Sequence, residues 1–317
     1  MAEPEFDLVA FGEPLMEFAE ITRGDEKLYL PGHGGDTSNV AIAAARCGAR
    51  VAFFSHIGDD AFGRFTTDVL LASGVDVTAV DIDPALPTGI SVILSAPGDR
   101  AILTVPGTIP TLEPHAVLDA LAADTRHVHF ASYFLQPALA AGLPSLLMEL
   151  RERGISTSLD TNWDPDESWS GLRGVLPHLD FLLPNREELR AIARALGSAE
   201  ENDGAAALFL AQLGPRVVVK AGSKGGWSIA AGPPLASAAG LPVEVVDTTG
   251  AGDSFNAGYL AALAYGIDDE TERLRWAATA GSLSTLGAGG TGAQADRAEL
   301  SAALDTAPRD AAFAAGL

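Results

Sequence analysis

Asp247, Thr248 and Thr249 lead into Gly250, Ala251 and Gly252, and Asp253 follows at once, in the run DTTGAGDSFNAGYL. From there Phe255, Tyr259, Leu260 and Leu263 fall at helical spacing, which predicts an amphipathic helix beginning at Asp253. The first amides of a helix lack intrahelical partners and carry the positive end of its dipole, so Gly250, Ala251 and Gly252 can offer a backbone cradle to phosphate oxygens. A carboxylate at the rim of that cradle suits removal of a proton from an attacking hydroxyl, and the chemistry implied is phosphoryl transfer. The dipole should make Asp253 a weak base, which a loose transition state dominated by positioning and charge stabilisation tolerates. Taken alone, the same letters also fit an ordinary helix start capped by Asp253.

Residues 32–63, GHGGDTSNVAIAAARCGARVAFFSHIGDDAFG, hold a second constellation. Gly34 and Gly35 permit close approach of the backbone to a polyhydroxylated ligand, while Asp36 and Asn39 offer acceptors and donors for hydroxyls. A simple turn, with Asp36 or Thr37 capping a helix, is the alternative.

The two segments resemble the second and first signatures of the ribokinase-like, or PfkB, family of carbohydrate kinases, and the likeness covers nearly the whole chain. It implies that Asp253 accepts the proton of a sugar hydroxyl, that Gly250, Ala251 and Gly252 form an anion hole, and that ATP and Mg2+ are the cofactors. In LLPNREEL, Asn185 and Glu188 match the family's N-x-x-E motif, associated with magnesium and the phosphates, though an Asn followed three residues later by Glu is also a common capping pattern. The run VVVKAGSKGGW resembles the strand and glycine-rich turn beside the nucleotide, which nominates Lys220, Gly222, Ser223 and Gly225, together with Thr249 and, from a helix end nearer the C-terminus, Ala278. No Gly-Lys-Ser or Gly-Lys-Thr triplet occurs, so this is not a Walker A loop. In some members the residues matching Asp247 and Thr249 help to hold a monovalent cation, making K+ a candidate.

Strand-like runs alternate with helical patterns, the rhythm of an α/β fold with a mostly parallel sheet flanked by helices. Candidate strands are Asp7 to Phe11, Val51 to His56, Val128 to Phe134, Ile155 to Asp160, Phe181 to Leu183 and Val217 to Ala221. Residues 14–33 and 88–106 break the rhythm, and the latter reads as a hairpin turning at Pro97, Gly98 and Asp99. Together they predict a small β lid on a single domain spanning 1–317, which the family also possesses; such a lid would exclude competing water. Relatives often pair through the lid, so an exposed apolar face there would make a homodimer the expectation.

A net charge of −22 with only three lysines argues against a nucleic-acid surface, and acidity serves solubility instead. It also repels ATP, so magnesium, helix termini and a few cations must act locally. The single cysteine, Cys47, excludes an intramolecular disulfide. No export signal or membrane span is visible, so a cytoplasmic location is expected. His127 and His129 alternate on a strand without a third ligand at metal spacing and read as structural, and the four tryptophans are too scattered to form a binding stripe.

The segments GEPLMEF and GGDTSN are similar to those of 2-keto-3-deoxygluconate kinases, whose D-x-N-x-R run falls at DTNWDPDESW. Asp164 stands where the arginine is expected, and the strand RAILTV lacks the aromatic and arginine pair of those enzymes. An anion in place of a carboxylate-binding cation points to a neutral sugar. Glu17, Asp36, Asn39, Arg100, Asp160 and Asn162 are the candidate hydroxyl contacts. A nucleoside kinase, with Tyr133, Phe134 and Trp163 as the face for a base, is the nearest competitor, a 2-keto-3-deoxygluconate kinase is a further alternative, and a non-catalytic sugar sensor is the alternative of another class.

Overall fold

The computed structural model describes residues 5–23, 26–96, 99–121, 125–200, 202–232 and 236–307. Its strands are β1 (Leu8–Phe11), β2 (Leu15–Arg23), β3 (Glu26–Gly34), β4 (Val51–Gly58), β5 (Val80–Asp83), β6 (Ile90–Ala96) and β7 (Asp99–Val105). They continue with β8 (His127–Ala131), β9 (Ser156–Asp160), β10 (Phe181–Leu182), β11 (Arg216–Lys220), β12 (Gly226–Ile229) and β13 (Ala236–Ala238). The helices are α1 (Asp36–Arg46), α2 (Ala61–Ala72), α3 (His115–Ala120), α4 (Pro137–Glu152) and α5 (Leu172–Val175). After them come α6 (Arg186–Ala195), α7 (Asp203–Ala211), α8 (Ala251–Ala264), α9 (Glu270–Ser284) and α10 (Arg297–Thr306).

Among the described residues, nine strands form the main sheet in the order β13-β12-β11-β10-β9-β8-β1-β4-β5. From β11 through β5 the neighbours run parallel, whereas β12 and β13 add antiparallel strands at one edge. Apolar side chains from both sheet faces explain the layers. Val9, Phe11, Phe130 and Leu159 pack with α4, α6 and α7, while Leu8, Ala10, Phe53 and Val218 pack with α1, α8 and α9. A buried parallel sheet needs this cover on both sides, because its central strands bury side chains on both faces.

The four remaining strands form a second sheet, β3-β2-β6-β7, which is the lid expected from residues 14–33 and 88–106. β6 and β7 pair antiparallel up to Ala96 and Asp99, as a hairpin requires; Pro97 and Gly98 of the expected turn lie outside the described residues. The lid exposes Leu30, Ile102, Leu103 and Val105.

Two element boundaries differ from expectation. The strand expected to run to Phe134 stops at Ala131, and Tyr133–Leu135 form a 3-10 turn, because Ser132 takes a left-handed conformation with φ 50°. The helix expected to begin at Asp253 begins at Ala251, capped by Gly250 at φ 72°. It is buried nearly all round rather than amphipathic, since α1 and α9 both pack on it.

Candidate active site

The starts of α1 and α8 converge between the main sheet and the lid. Gly35 caps α1 at φ 107°, where a Cβ would come within 2.5 Å of the Glu13 carbonyl oxygen. At Gly250 a Cβ would come within 2.3 Å of the Gly290 carbonyl oxygen. These glycines are therefore required by the chain's own backbone packing, not only by a ligand's approach. Asp253, in the first turn of α8, is 6% exposed, and Asn39 Nδ2 on α1 donates to its Oδ2 at 2.9 Å. A residue expected to meet the sugar thus also holds the candidate base. The expectation of a weak base is corrected: burial, followed by the charge of Asp36, raises Asp253 well above the usual carboxylate range and outweighs the Asn39 hydrogen bond.

Lys220, at the end of β11, is buried against the opening turn of α8, its Nζ 3.9 Å from where a Cβ on Gly252 would stand. Its ammonium pairs with Asp160 Oδ2, and Asn256 Nδ2 donates to the same oxygen at 2.6 Å. Burial alone would lower Lys220, but Asp160 and Glu188 raise it, so it stays charged. Asp160, expected to touch the sugar, is the counter-ion of this lysine and is 1% exposed. Asn185 and Glu188 form a reciprocal capping box at the start of α6, with Glu188 Oε2 accepting from Asn185 N at 2.8 Å. The box uses only part of the carboxylate's acceptor capacity; burial pushes Glu188 up to about 7.

Behind α1 lies a residue that sequence reasoning passed over. Glu13, 2% exposed, accepts from Asp36 N at 2.9 Å and Thr37 Oγ1 at 2.7 Å, and its Oε1 lies 2.7 Å from Ser132 Oγ. Burial and the Asp36 charge push Glu13 up to about 7. The segment GEPLMEF holds two glutamates, and nothing in the letters tells the buried Glu13 from the half-buried Glu17. Glu17 borders Gly34, where a Cβ would lie 3.1 Å from Glu17 Oε2. Asn162, with φ 54°, accepts from Ser132 N and so steadies that turn. The side chain of Arg100 lies outside the described residues.

Asp164 does not present its charge as expected. Its carboxylate accepts from Asp166 N, Ser168 Oγ and Trp169 N, which ties down its own loop. The tryptophans are less scattered than their positions suggest: Trp163, Trp169, Phe134 and Tyr133 form an edge-to-face chain.

On the other side of Lys220 a cleft of about 410 Å³ opens along the start of α8. Lys220, Gly222, Ser223, Gly225 and Ala278 line it as the sequence anticipates, and so do Ala251 and Gly252. Leu241, Pro242, Val243, Val245 and Phe255 add an apolar wall beyond the motif residues. Thr248, not Thr249, lines the cleft; Thr249 donates from its amide and hydroxyl to Asp247 Oδ1, while Gly289 N donates to Asp247 Oδ2. Asp247 therefore clamps two loops together. Among the described residues no group of three or more His, Cys, Asp or Glu is placed to hold a metal ion. His127 and His129 share hydrogen bonds with Ser158 inside the sheet, and burial lowers both to about 3, so they are structural neutral side chains.

The arrangement is a carboxylate between a polar side under a lid and a cleft that ends on a helix N-terminus with a buried lysine. The comparisons agree. Ribokinase of Bacillus subtilis (strain 168) is 30% identical over 295 residues, covering 93% of this chain and 94% of that protein. The 2-dehydro-3-deoxygluconokinase of Thermoproteus tenax is 31% identical over 297 residues, covering 89% of each. A structure of fructokinase with bound ATP from Xylella fastidiosa superposes with a TM-score of 0.84 at 23% identity, over 94% of this chain and 98% of that one, and so shares the fold. The profile of the pfkB family carbohydrate kinases matches residues 6–296, and the chain belongs to that family.

Proposed function

We propose that this sugar kinase transfers the γ-phosphoryl group of ATP to a hydroxyl of a small neutral sugar, with the whole chain acting as one catalytic unit. The observation that carries the reading is Asp253, buried, raised in pKa and pinned by Asn39 at the junction of the two half-sites. The sugar oxygen attacks the γ-phosphorus, its proton passes to Asp253, and the bond to the bridging oxygen of ADP breaks. Charge gathering on the phosphoryl oxygens meets the amides at Gly250 and Gly252 and the Lys220 ammonium, while the Ala251 amide donates to the Thr248 carbonyl and holds the turn. Adenine fits the apolar wall of Val243, Val245 and Ala278.

The acceptor set suits Mg2+ carried on the ATP phosphates, which Glu188 would hold through water, since hard cations take oxygen ligands and magnesium retains several waters. Asp247 and Thr249 order the loop whose carbonyls would hold a monovalent cation. Asp164 no longer supports a neutral substrate, because its charge is spent within its own loop. Glu17, Asp36 and Asp253 do support it: their carboxylates accept hydroxyl protons and repel a sugar carboxylate. Pairing of two copies through the lid belongs to the same reading.

The test is ATP-to-ADP turnover against neutral sugars, sugar acids, sugar phosphates and nucleosides, with Asp253→Asn in parallel. One neutral sugar should be phosphorylated, and the variant should lose roughly a hundred- to ten-thousand-fold in kcat. A sugar acid as the preferred substrate would overturn the specificity, and full activity in the variant would overturn the base.

A further inference from the structure

Ser132 Oγ lies 2.7 Å from Glu13 Oε1 and 2.9 Å from Asp36 Oδ2. A serine hydroxyl has one hydrogen. Divided between two carboxylate oxygens, that hydrogen binds each only in part, while the two like charges it joins repel each other. A second proton, on one of the two acids, gives each contact a full O–H···O bond and removes the repulsion.

From this geometry we propose that Glu13 is a positioning residue that works in its protonated form, donating to Ser132 Oγ while Ser132 donates to Asp36 and so fixes the Asp36 carboxylate for the sugar. The inference rests on the kinase reading for the word sugar, but the proton itself does not. Two observations place the proton on Glu13 rather than on Asp36. Glu13 is 2% exposed and desolvated, which favours its neutral form. Asp36 stands in the first turn of α1, where the helix dipole favours negative charge. Ser132 is held by its own backbone: Asn162 Oδ1 accepts its amide at 2.9 Å, and Gln136 Nε2 donates to the carbonyl of Ala131 at 2.6 Å.

Asp36 and Thr37 face Glu13 from α1, Ser132 and Gln136 face it from the turn after β8, and Asp36 in turn feels Asp253 and Glu188. Above neutrality Glu13 ionises, two adjacent carboxylates share one hydroxyl proton, and Asp36 is pushed from its position. The burial that raises Glu13 to about 7 places that change within reach of ordinary assay conditions.

The test has two arms. In the first, KM for the phosphorylated sugar should rise about five- to tenfold in wild type between pH 6 and pH 8.5, while kcat follows Asp253 instead. Glu13→Gln, which cannot ionise, should abolish that rise in KM. In the second, ligand-free thermal unfolding is compared between wild type and Glu13→Gln. A raised folded-state pKa means that the protonated group contributes its stability fully below its unfolded value and loses it as pH rises through the folded one, so wild-type Tm should fall relative to the variant by about 5 °C from pH 5 to pH 8. Ser132→Ala, which breaks the bridge without touching Glu13's packing partners, should flatten the KM profile and serves if Glu13→Gln does not fold. Parallel Tm curves would overturn the proton; divergent Tm curves with identical KM profiles would overturn the positioning role. If no sugar is phosphorylated, the kinase reading fails while the Tm comparison still decides the proton.

Discussion

At the scale of single residues, the site is a balance of buried charges around Lys220. Asp160 is 1% exposed and has Lys220 and Asn256 as partners on one oxygen. Removing the lysine would leave that carboxylate buried without a counter-charge. Lys220→Met should therefore destabilise the fold by about 3–5 kcal/mol in urea unfolding, and Asp160→Asn added to it should recover much of the loss, because the pair rather than either residue sets the cost. Simple additivity of the two changes would sink the ion-pair account. The sequence made Asp253, Lys220 and Asn39 legible because each stands within a run whose glycines and polar residues only make sense together. It nominated Asp160 without its ion pair and overlooked Glu13 and Asn256, whose partners lie up to 123 positions away in the chain, as with Gln136 and Glu13. No local pattern records such a contact.

At the scale of elements, chemistry is delivered by where strands stop and helices start. β8 ends at Ala131 because Ser132 turns left-handed to reach Glu13 and Asp36, a departure from the apolar run that predicted a strand to Phe134. The alternation of apolar runs identified most of the parallel strands and the lid, but not β5, β12 or β13, whose short and mixed sequences carry little periodicity. α8 starts two residues earlier than expected, since a left-handed glycine rather than a side-chain cap turns the chain. That start can be tested. Gly250→Ala combines an unfavourable φ of 72° with a Cβ 2.3 Å from the Gly290 oxygen, so backbone must shift. The variant should lose about 1–3 kcal/mol of stability and at least roughly a hundredfold in kcat, as the amides at Ala251 and Gly252 leave their positions. Unchanged kcat with lowered stability would show that the anion hole lies elsewhere.

At the scale of the molecule, two properties oppose each other. The lid carries exposed apolar side chains, with Leu103 at 59% and Ile102 at 54%, and successive residues of a strand point to opposite faces. One of those faces overlies the substrate side, which leaves the other for a partner, and a second copy offers the same apolar strip by symmetry. Against this, a net charge of −22 on each chain makes two copies repel. Screening falls to a Debye length of about 8 Å at physiological ionic strength, so the apolar gain should win there and lose in very dilute buffer. Sedimentation at both salt levels should show two chains associating as salt rises, and Leu103→Lys should keep the protein single at either, since an exposed position costs the fold little. A single-chain mass at all salt concentrations would mean that the outer lid face stays in water, and the lid would then act on the substrate alone.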